Sequence, residues 1–216
     1  IDDILKNLKS WMKPEKRHID ATMFPFASNT VIPQPLGVVG LIVPWNFPVF
    51  LAVCQIPTSF AAGNRAMLTT PENSRHLTRL LRELAPQYLP EDKLTFLEET
   101  GGVGIEFSKL AFDLIIFTGS GATGKKVMAS AAENLTPVIL ELGGKSPAII
   151  DPKYDLAKAA ERIMFAKQFN AGQICVNVDY VMVHASQADE FIERCSEWLK
   201  SNVPTIDSDD YTSMID

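Results

Sequence analysis

Scarcities in this 216-residue sequence exclude several classes of protein. It has 3 cysteines, Cys54, Cys175 and Cys195. Their number is odd and they are far apart in the sequence, which excludes a disulfide framework and favours a reducing, cytoplasmic compartment. Basic residues do not predominate: 20 Lys and Arg stand against 26 Asp and Glu, and a net charge of −6 argues against nucleic-acid binding. The 3 histidines have no metal-ligand spacing, so we expect no metal site.

Charge is also absent between Asp20 and Arg65, and residues 36–54 are nearly all apolar. A run of this length could cross a membrane. However, Pro44, Asn46 and Pro48 interrupt its centre, and a buried strand followed by a buried helix has the same composition. We therefore predict a strand and a helix here, with no membrane segment.

The first 36 residues differ from the rest. Residues 1–17 carry apolar side chains at helical spacing and mix Asp with Lys, which predicts an amphipathic helix and not a secretory signal. Residues 18–36 are rich in Pro and Thr, which predicts an extended arm that resembles an interface element. Since no methionine begins the chain, we expect it to be an excised piece.

Beyond residue 36, short β-branched runs alternate with helical patterns. This alternation predicts an α/β fold, a Rossmann-like open parallel sheet with helices on both faces. Cys54 and Cys195 fall on helical apolar positions and are predicted to be inert core thiols. The predicted strands are 36–43, 65–70, 94–98, 114–118, 138–142, 148–150 and 180–184, and the predicted helices are 48–62, 72–88, 103–110, 123–134, 156–170 and 188–200.

A glycine-rich loop joins one predicted strand to the next helix. It reads Gly119, Ser120, Gly121, Ala122, Thr123, Gly124. Glycines at such a junction let the backbone approach a pyrophosphate, and the free N–H groups at the helix start can bind it. The loop therefore predicts a dinucleotide site, against the alternative of a glycine-rich connection that binds nothing.

Two further residues suggest chemistry. Glu141 is the one charge in the apolar run 138–142, and Cys175 lies in a loop of Gly, Asn and Gln. A carboxylate and a thiol, each near glycine, suggest a covalent site with its own base. Glu141 also stands about 20 residues after the glycine loop, where an ordinary Rossmann fold places the ribose-binding acid. The residue pattern alone leaves both readings open.

Five sequence motifs occur in order along the chain. They are P-W-N-F-P at 44–48, A-A-G-N at 61–64, F-T-G-S-G-A-T-G at 117–124, L-T-P-V-I-L-E-L-G-G-K-S-P at 135–147 and F-N-A-G-Q-I-C at 169–175. Taken together, they resemble the aldehyde dehydrogenase superfamily. The leader W-M-K-P-E-K-R and the fourth motif resemble most its class 3 and coniferyl aldehyde dehydrogenase branch.

The resemblance implies roles for individual residues. Cys175 would be the nucleophile, Glu141 the general base, and Asn46 an oxyanion donor together with the N–H of Cys175. Glu72 would lie near the adenosine ribose. The remaining residues implied to contact NAD or NADP are Pro44, Trp45, Gly119, Ser120, Gly121, Ala122, Thr123, Gly124 and Leu142.

The resemblance also implies an activity and a domain plan. Residues 37–141 would form the NAD(P)-binding domain, and 142–216 the beginning of an incomplete α/β catalytic domain. The activity would be oxidation of an aldehyde, aromatic or of medium chain length, in a homo-oligomer. Glu141 favours hydrolysis of the acyl intermediate over its transfer to coenzyme A.

Two departures keep a second hypothesis open, that of a non-catalytic dinucleotide-binding derivative. Thr69 stands where the family usually has a lysine, which leaves the choice between NAD and NADP undecided. The chain is also much shorter than members of the family, and a C-terminal portion of the family's site has no counterpart in it.

Overall fold

The computed structural model describes residues 1–98 and 103–215. The chain divides into two compact units, Ile1–Glu141 and Leu142–Asp216. Each unit has its own hydrophobic core.

The first unit begins with a helix and a small hairpin. Helix α1 spans Asp2–Trp11, and strands β1 (Glu15–Arg17) and β2 (Asn29–Val31) pair antiparallel. The helix predicted over 1–17 is therefore too long, because Pro14 has no N–H for a helical hydrogen bond and disfavours helical geometry in the residue before it. The predicted extended arm contributes β2, and all three residues of that strand are exposed.

A five-stranded sheet forms the centre of the first unit. Its strands lie in the order β5-β4-β3-β6-β7, and the β3–β4, β3–β6 and β4–β5 pairs are parallel. Ile115 donates its backbone N–H to Pro137 at 2.9 Å, so β6 and β7 begin at the same edge. The strands are β3 (Val38–Ile42), β4 (Arg65–Thr69), β5 (Leu94–Leu97), β6 (Leu114–Gly119) and β7 (Val138–Leu142).

Helices pack on both faces of this sheet, which confirms the predicted fold class. On one face, Val39, Leu41 and Leu68 pack with residues of α2 (Pro48–Ala61) and α3 (Arg75–Leu84). On the other face, residues of β3 and β6 pack with α4 (Val103–Ser108) and α5 (Gly121–Ala132). Side chains alternate between the faces of a strand, so the nearly continuous apolar run of β3 supplies both cores.

The uncharged run is thus a strand and a helix, as predicted. None of the helices in the described part of the chain is long and apolar enough to cross a membrane. The prediction that α2 is buried was wrong, however, because Val49, Phe50, Val53 and Cys54 are exposed. These side chains project from the face of α2 that does not contact the sheet, so the prediction of a buried Cys54 was wrong as well.

The second unit is one crossover unit followed by a helix. Strand β8 (Ser146–Ile149) pairs parallel with β9 (Val178–Met182), and α6 (Leu156–Gln168) connects them. Helix α7 spans Ala188–Asn202. Ile150, Leu156 and Phe191 form part of the core, and Cys195 packs against it half-buried, where burial raises the pKa of its thiol.

Asn64, the last residue of the A-A-G-N motif, precedes β4 and forms hydrogen bonds with the residues just before β3. Its side chain is buried, and its Oδ1 accepts the backbone N–H of Leu36 at 2.7 Å and of Gly37 at 3.0 Å. Its own carbonyl accepts Lys93 Nζ at 2.8 Å. A buried acceptor shared by two backbone donors is costly to remove, because both donors lose their partner.

We expect Asn64→Ala to lower the free energy of unfolding by about 2–3 kcal/mol, because two backbone N–H groups lose their acceptor. Asn134→Ala is the control, since the exposed Asn134 donates a single bond to Lys109 O at 2.7 Å. Urea denaturation of both variants measures the difference. Equal losses in the two variants would contradict this role for Asn64.

Candidate active site

Four neighbouring strands of the sheet bring predicted site residues to one edge. Because parallel strands end at the same edge, the residues after β4, β3 and β6 and the end of β7 lie side by side. Strand β4, which follows β3 in the chain, lies on one side of β3, and β6 lies on its other side. The strand order therefore reverses between β3 and β6. Ligands of open α/β sheets bind at such a reversal. The segments 44–46 and 119–121 flank it.

Asn46 lies half-buried between β3, which ends at Ile42, and α2, which begins at Pro48. Pro44 and Trp45, also half-buried, precede it, and Pro48 occupies the first turn of the helix, where its missing N–H costs nothing. An apolar pocket adjoins Asn46 and runs along α2. Its lining includes Ile1, Ile4, Phe47, Val49, Phe50, Val53 and Cys54.

The three glycines of the loop 119–124 serve different physical purposes. A Cβ on Gly119 would lie 2.6 Å from the Phe117 ring, so packing disfavours a larger residue there. Gly124 is buried in α5. A Cβ on Gly121 would meet nothing within 4 Å. The helix start therefore presents an open backbone edge, and these residues fit a pyrophosphate.

Ser120 fixes where α5 begins. Its Oγ accepts the Thr123 N–H at 3.2 Å and lies 3.0 Å from Thr123 Oγ1. With this cap the helix starts at Gly121, two residues before the predicted start at 123. The first turn of α5, including Ala122, thus belongs to the glycine loop itself.

The edge beyond β4 holds a mixture of charges. Thr69 is buried, and its hydroxyl is 3.5 Å from Thr70 O, so it does not replace the ammonium of a lysine. Glu72 is exposed and shares a shallow pocket with Arg75 and His76. The predicted helix 72–88 is really α3 between two short 3₁₀ segments, Glu72–Ser74 and Ala85–Gln87.

Glu141 and Leu142 end β7, and both are exposed. Glu141 is the last residue of the first unit, and Leu142 is the first residue of the second. The following Gly143 and Gly144 have open space where a Cβ would lie. Because β7 is the neighbour of β6, Glu141 lies at the same edge of the sheet as Asn46 and Ser120.

Cys175 lies in the second unit, exposed, in the segment 169–177, which we call the thiol loop. Asn170, Ala171 and Gly172 adopt left-handed backbone conformations with φ of 53°, 52° and 78°. The helix predicted over 156–170 ends earlier, at Gln168, because Phe169 is already extended with φ of −61° and ψ of 125°. Left-handed conformations are unfavourable for a residue with a Cβ such as Ala171, so other contacts must hold this turn.

Sequence reasoning missed the residues that hold the thiol loop. Gln173 Nε2 donates to Asn170 O at 3.0 Å, and Asn170 Nδ2 donates to Gln173 O at 3.2 Å. Beyond the cysteine, Asn177 Nδ2 donates to Ala166 O of α6 at 3.2 Å. Amide side chains two residues before and two residues after a candidate nucleophile were a usable signal.

Lys145, which follows Gly143 and Gly144, forms an ion pair. Its Nζ lies 3.0 Å from Asp179 Oδ1 on β9, and its side chain is 80% exposed. This contact joins the loop before β8 to β9 within the second unit.

Gly172 should be intolerant of substitution, because its φ is +78° and a Cβ would lie 3.1 Å from Lys167 O. We expect Gly172→Ala to lower the free energy of unfolding by about 1–2 kcal/mol. Gly143→Ala, which meets open space, should change it by less than about 0.5 kcal/mol. Thermal unfolding of the two variants decides, and a tolerated Gly172→Ala would contradict the left-handed turn.

Comparisons with known proteins agree with this architecture. The model of the aldehyde dehydrogenase family matches residues 3–214. The Probable coniferyl aldehyde dehydrogenase of Pseudomonas aeruginosa is 47% identical over 97% of this chain, and Aldehyde dehydrogenase family 3 comG of Dictyostelium discoideum is 40% identical over 93%. The chain covers 44% and 43% of their lengths, less than half of each.

Among solved structures, the Mycobacterium tuberculosis aldehyde dehydrogenase complexed with NAD⁺ superposes with a TM-score of 0.78 and 35% identity, over 87% of this chain and 38% of that one. The predicted resemblance, including its coniferyl and class 3 branch, is confirmed. Since the family model spans almost the whole of it, the chain belongs to the aldehyde dehydrogenase family.

Proposed function

We propose that the protein containing this chain oxidises an aldehyde to a carboxylic acid with NAD or NADP, using Cys175 as the nucleophile. The observation that carries the proposal is the exposed thiol on a loop held by side-chain amides, in a chain of this family. The whole protein's activity is part of the proposal, because the chain covers less than half of its relatives.

A covalent step is needed because an aldehyde carbon does not readily lose hydride. The thiolate of Cys175 adds to the carbonyl carbon and forms a thiohemiacetal, whose tetrahedral carbon can release hydride. A cysteine with a pKa of about 8.5 is a minor fraction thiolate at neutral pH, but sulfur is nucleophilic enough for that fraction to react. The bound nicotinamide would supply the hydride acceptor.

Asn46 supports this step as an oxyanion donor. Its side-chain amide just before α2 and the backbone N–H of Cys175 would share the negative charge that develops on the carbonyl oxygen. Removing one such donor costs about 3 kcal/mol in well-studied enzymes, or about a hundredfold in rate. Pro44 and Trp45, at the order reversal of the sheet, would border the cofactor.

Glu141 completes the reaction as the general base. Loss of hydride leaves a thioester on Cys175, and a water molecule deprotonated by Glu141 would attack it, releasing the acid and the thiolate. General bases contribute about 10²–10⁴-fold. The exposed carboxylate at the end of β7 is accessible to water, which favours hydrolysis over transfer to coenzyme A.

The apolar pocket along α2 supports a substrate with an apolar or aromatic tail. Asn46 lines the same pocket as Phe47, Phe50 and Val53, so a carbonyl oxygen bound by Asn46 would leave the tail beside these side chains. The coniferyl name of the Pseudomonas aeruginosa relative agrees with an aromatic aldehyde. We extend the proposal to such substrates and to medium-chain aldehydes.

The exposed hairpin supports association of several copies. Met23, Phe24 and Phe26, between β1 and β2, are exposed apolar side chains, and Val31 and Ile32 continue the surface. A small hairpin with this much exposed apolar area is typical of an interaction element. We propose that the protein is a cytoplasmic homo-oligomer.

Two substitutions test the chemistry in the full-length protein. Cys175→Ala should abolish aldehyde-dependent reduction of NAD and NADP, and Asn46→Ala should lower kcat by about a hundredfold. Cys195→Ala is the control, because Cys195 is a thiol of the same unit that packs half-buried against its core and has no assigned role in the reaction. Activity that survives Cys175→Ala would refute the assignment of the nucleophile.

Glu72 should set the cofactor preference, because a 2′-phosphate near its carboxylate is repelled and Thr69 supplies no compensating charge. We expect Glu72→Gln to tighten binding of NADP relative to NAD by about fivefold, the effect of about 1 kcal/mol of charge repulsion. Fluorescence titration of both nucleotides measures this, with Glu83→Gln on α3 as the control.

An unchanged ratio of the two affinities would remove Glu72 from the ribose site. Tight binding of either nucleotide by the unsubstituted protein, together with a Cys175 thiol that resists alkylation, would favour the non-catalytic dinucleotide-binding derivative.

A further inference from the structure

The thiol loop is anchored at both ends by hydrogen bonds from side chains. On the downstream side, Asn177 bonds to Ala166, and Lys167 Nζ donates to Val178 O at 3.0 Å. The first bond joins the loop to α6, and the second joins α6 to the first residue of β9, directly after the loop. Leu156, Ala159 and Ala160 of α6 are part of the core of the second unit. On the upstream side, the anchor is the amide of Gln173.

Gln173 uses both polar atoms of its side chain. Its Nε2 donates to Asn170 O at 3.0 Å and to Ser213 O at 3.1 Å, and its Oε1 accepts the N–H of Ile215 at 3.0 Å. One amide two residues before Cys175 thus closes the left-handed turn and also binds a segment 42 residues further along the chain.

We propose that Gln173 is a positioning residue for the Cys175 thiol and that the segment 213–215 is part of its support. The proposal rests on the proposed function, in which Cys175 is the nucleophile. Gln173 acts through the loop backbone and does not contact the reacting atoms.

Backbone conformation explains why this support is needed. Ala171 is in the left-handed region, which residues with a Cβ avoid, so the loop has other conformations available once its hydrogen bonds are lost. A nucleophile displaced by about 1 Å can lose about a hundredfold in rate, because the reacting atoms no longer approach in line. Binding of substrate and cofactor at other residues would be little affected.

The test uses Gln173→Met in the full-length protein, since methionine keeps the length and removes every hydrogen bond of the amide. Gln168→Met is the matched control: Gln168 is another half-buried glutamine of this unit, and its Oε1 accepts Tyr211 Oη–H at 2.8 Å. Ile215→Pro, which removes the N–H bound by Gln173 and leaves the loop sequence intact, is a second variant.

Two measurements are made on each variant. The first is steady-state aldehyde oxidation, with kcat and KM determined separately. The second is the rate of iodoacetamide alkylation of Cys175 against pH, read from its peptide by mass spectrometry, with the exposed Cys54 as the reference thiol in the same sample. The alkylation profile reports on the thiol even if the protein is not an aldehyde dehydrogenase.

We expect Gln173→Met to lower kcat by at least about tenfold while KM changes less than about twofold. The alkylation profile of Cys175 should shift or change its limiting rate by at least about threefold relative to Cys54, with a smaller change of the same kind in Ile215→Pro. Gln168→Met should leave both measurements unchanged.

Unchanged kcat and an unchanged Cys175 profile in folded Gln173→Met would overturn the proposal. If Gln173→Met does not fold, the profile of Ile215→Pro decides in the same way. If the unsubstituted protein does not oxidise aldehydes but Gln173→Met shifts the alkylation profile of Cys175, the proposed function is rejected. The positioning role of Gln173 remains in that case.

Discussion

Parallel strand pairing is the constraint on which the first unit's part of the site depends. Because the strands of the sheet begin at one edge, everything that follows them emerges at the other, so Asn46, Glu72, Ser120 and Glu141 become neighbours along one edge although they are far apart in sequence. The side chains of the buried strand β3 alternate between the two faces of the sheet and contribute to the core on each face. Fold and site therefore share one physical origin.

In the second unit, the exposed thiol of Cys175 lies on a loop that side-chain hydrogen bonds hold in place. A regular helix or strand would commit the backbone of Cys175 to a ladder of hydrogen bonds. The chain uses three left-handed residues instead, and side-chain amides compensate for the unfavourable backbone. The unfavourable backbone conformation and the hydrogen bonds that compensate for it lie within a few residues of Cys175, the proposed nucleophile.

The sequence predicted the sheet well because its signal is strong and local. Short β-branched runs between helices gave β3 to β7 nearly to the residue, and the five motifs indicated the family. Boundaries set by a single side chain were less visible: the cap of Ser120 moved α5, and Pro14 shortened α1. The exposure of Cys54 was missed because apolar composition does not show which face of a helix meets the sheet.

We propose that aldehyde oxidation by the full-length protein passes through a thioester on Cys175. To test this, the full-length Glu141→Gln variant is mixed with an aromatic aldehyde and NAD⁺, the reaction is quenched within one turnover, and the mass of the Cys175 peptide is determined. Because the variant lacks the proposed base, we expect an acyl adduct on Cys175, dependent on the nucleotide and accompanied by one equivalent of NADH. NADH production without an adduct, or an adduct on Cys54 instead, would contradict this proposal.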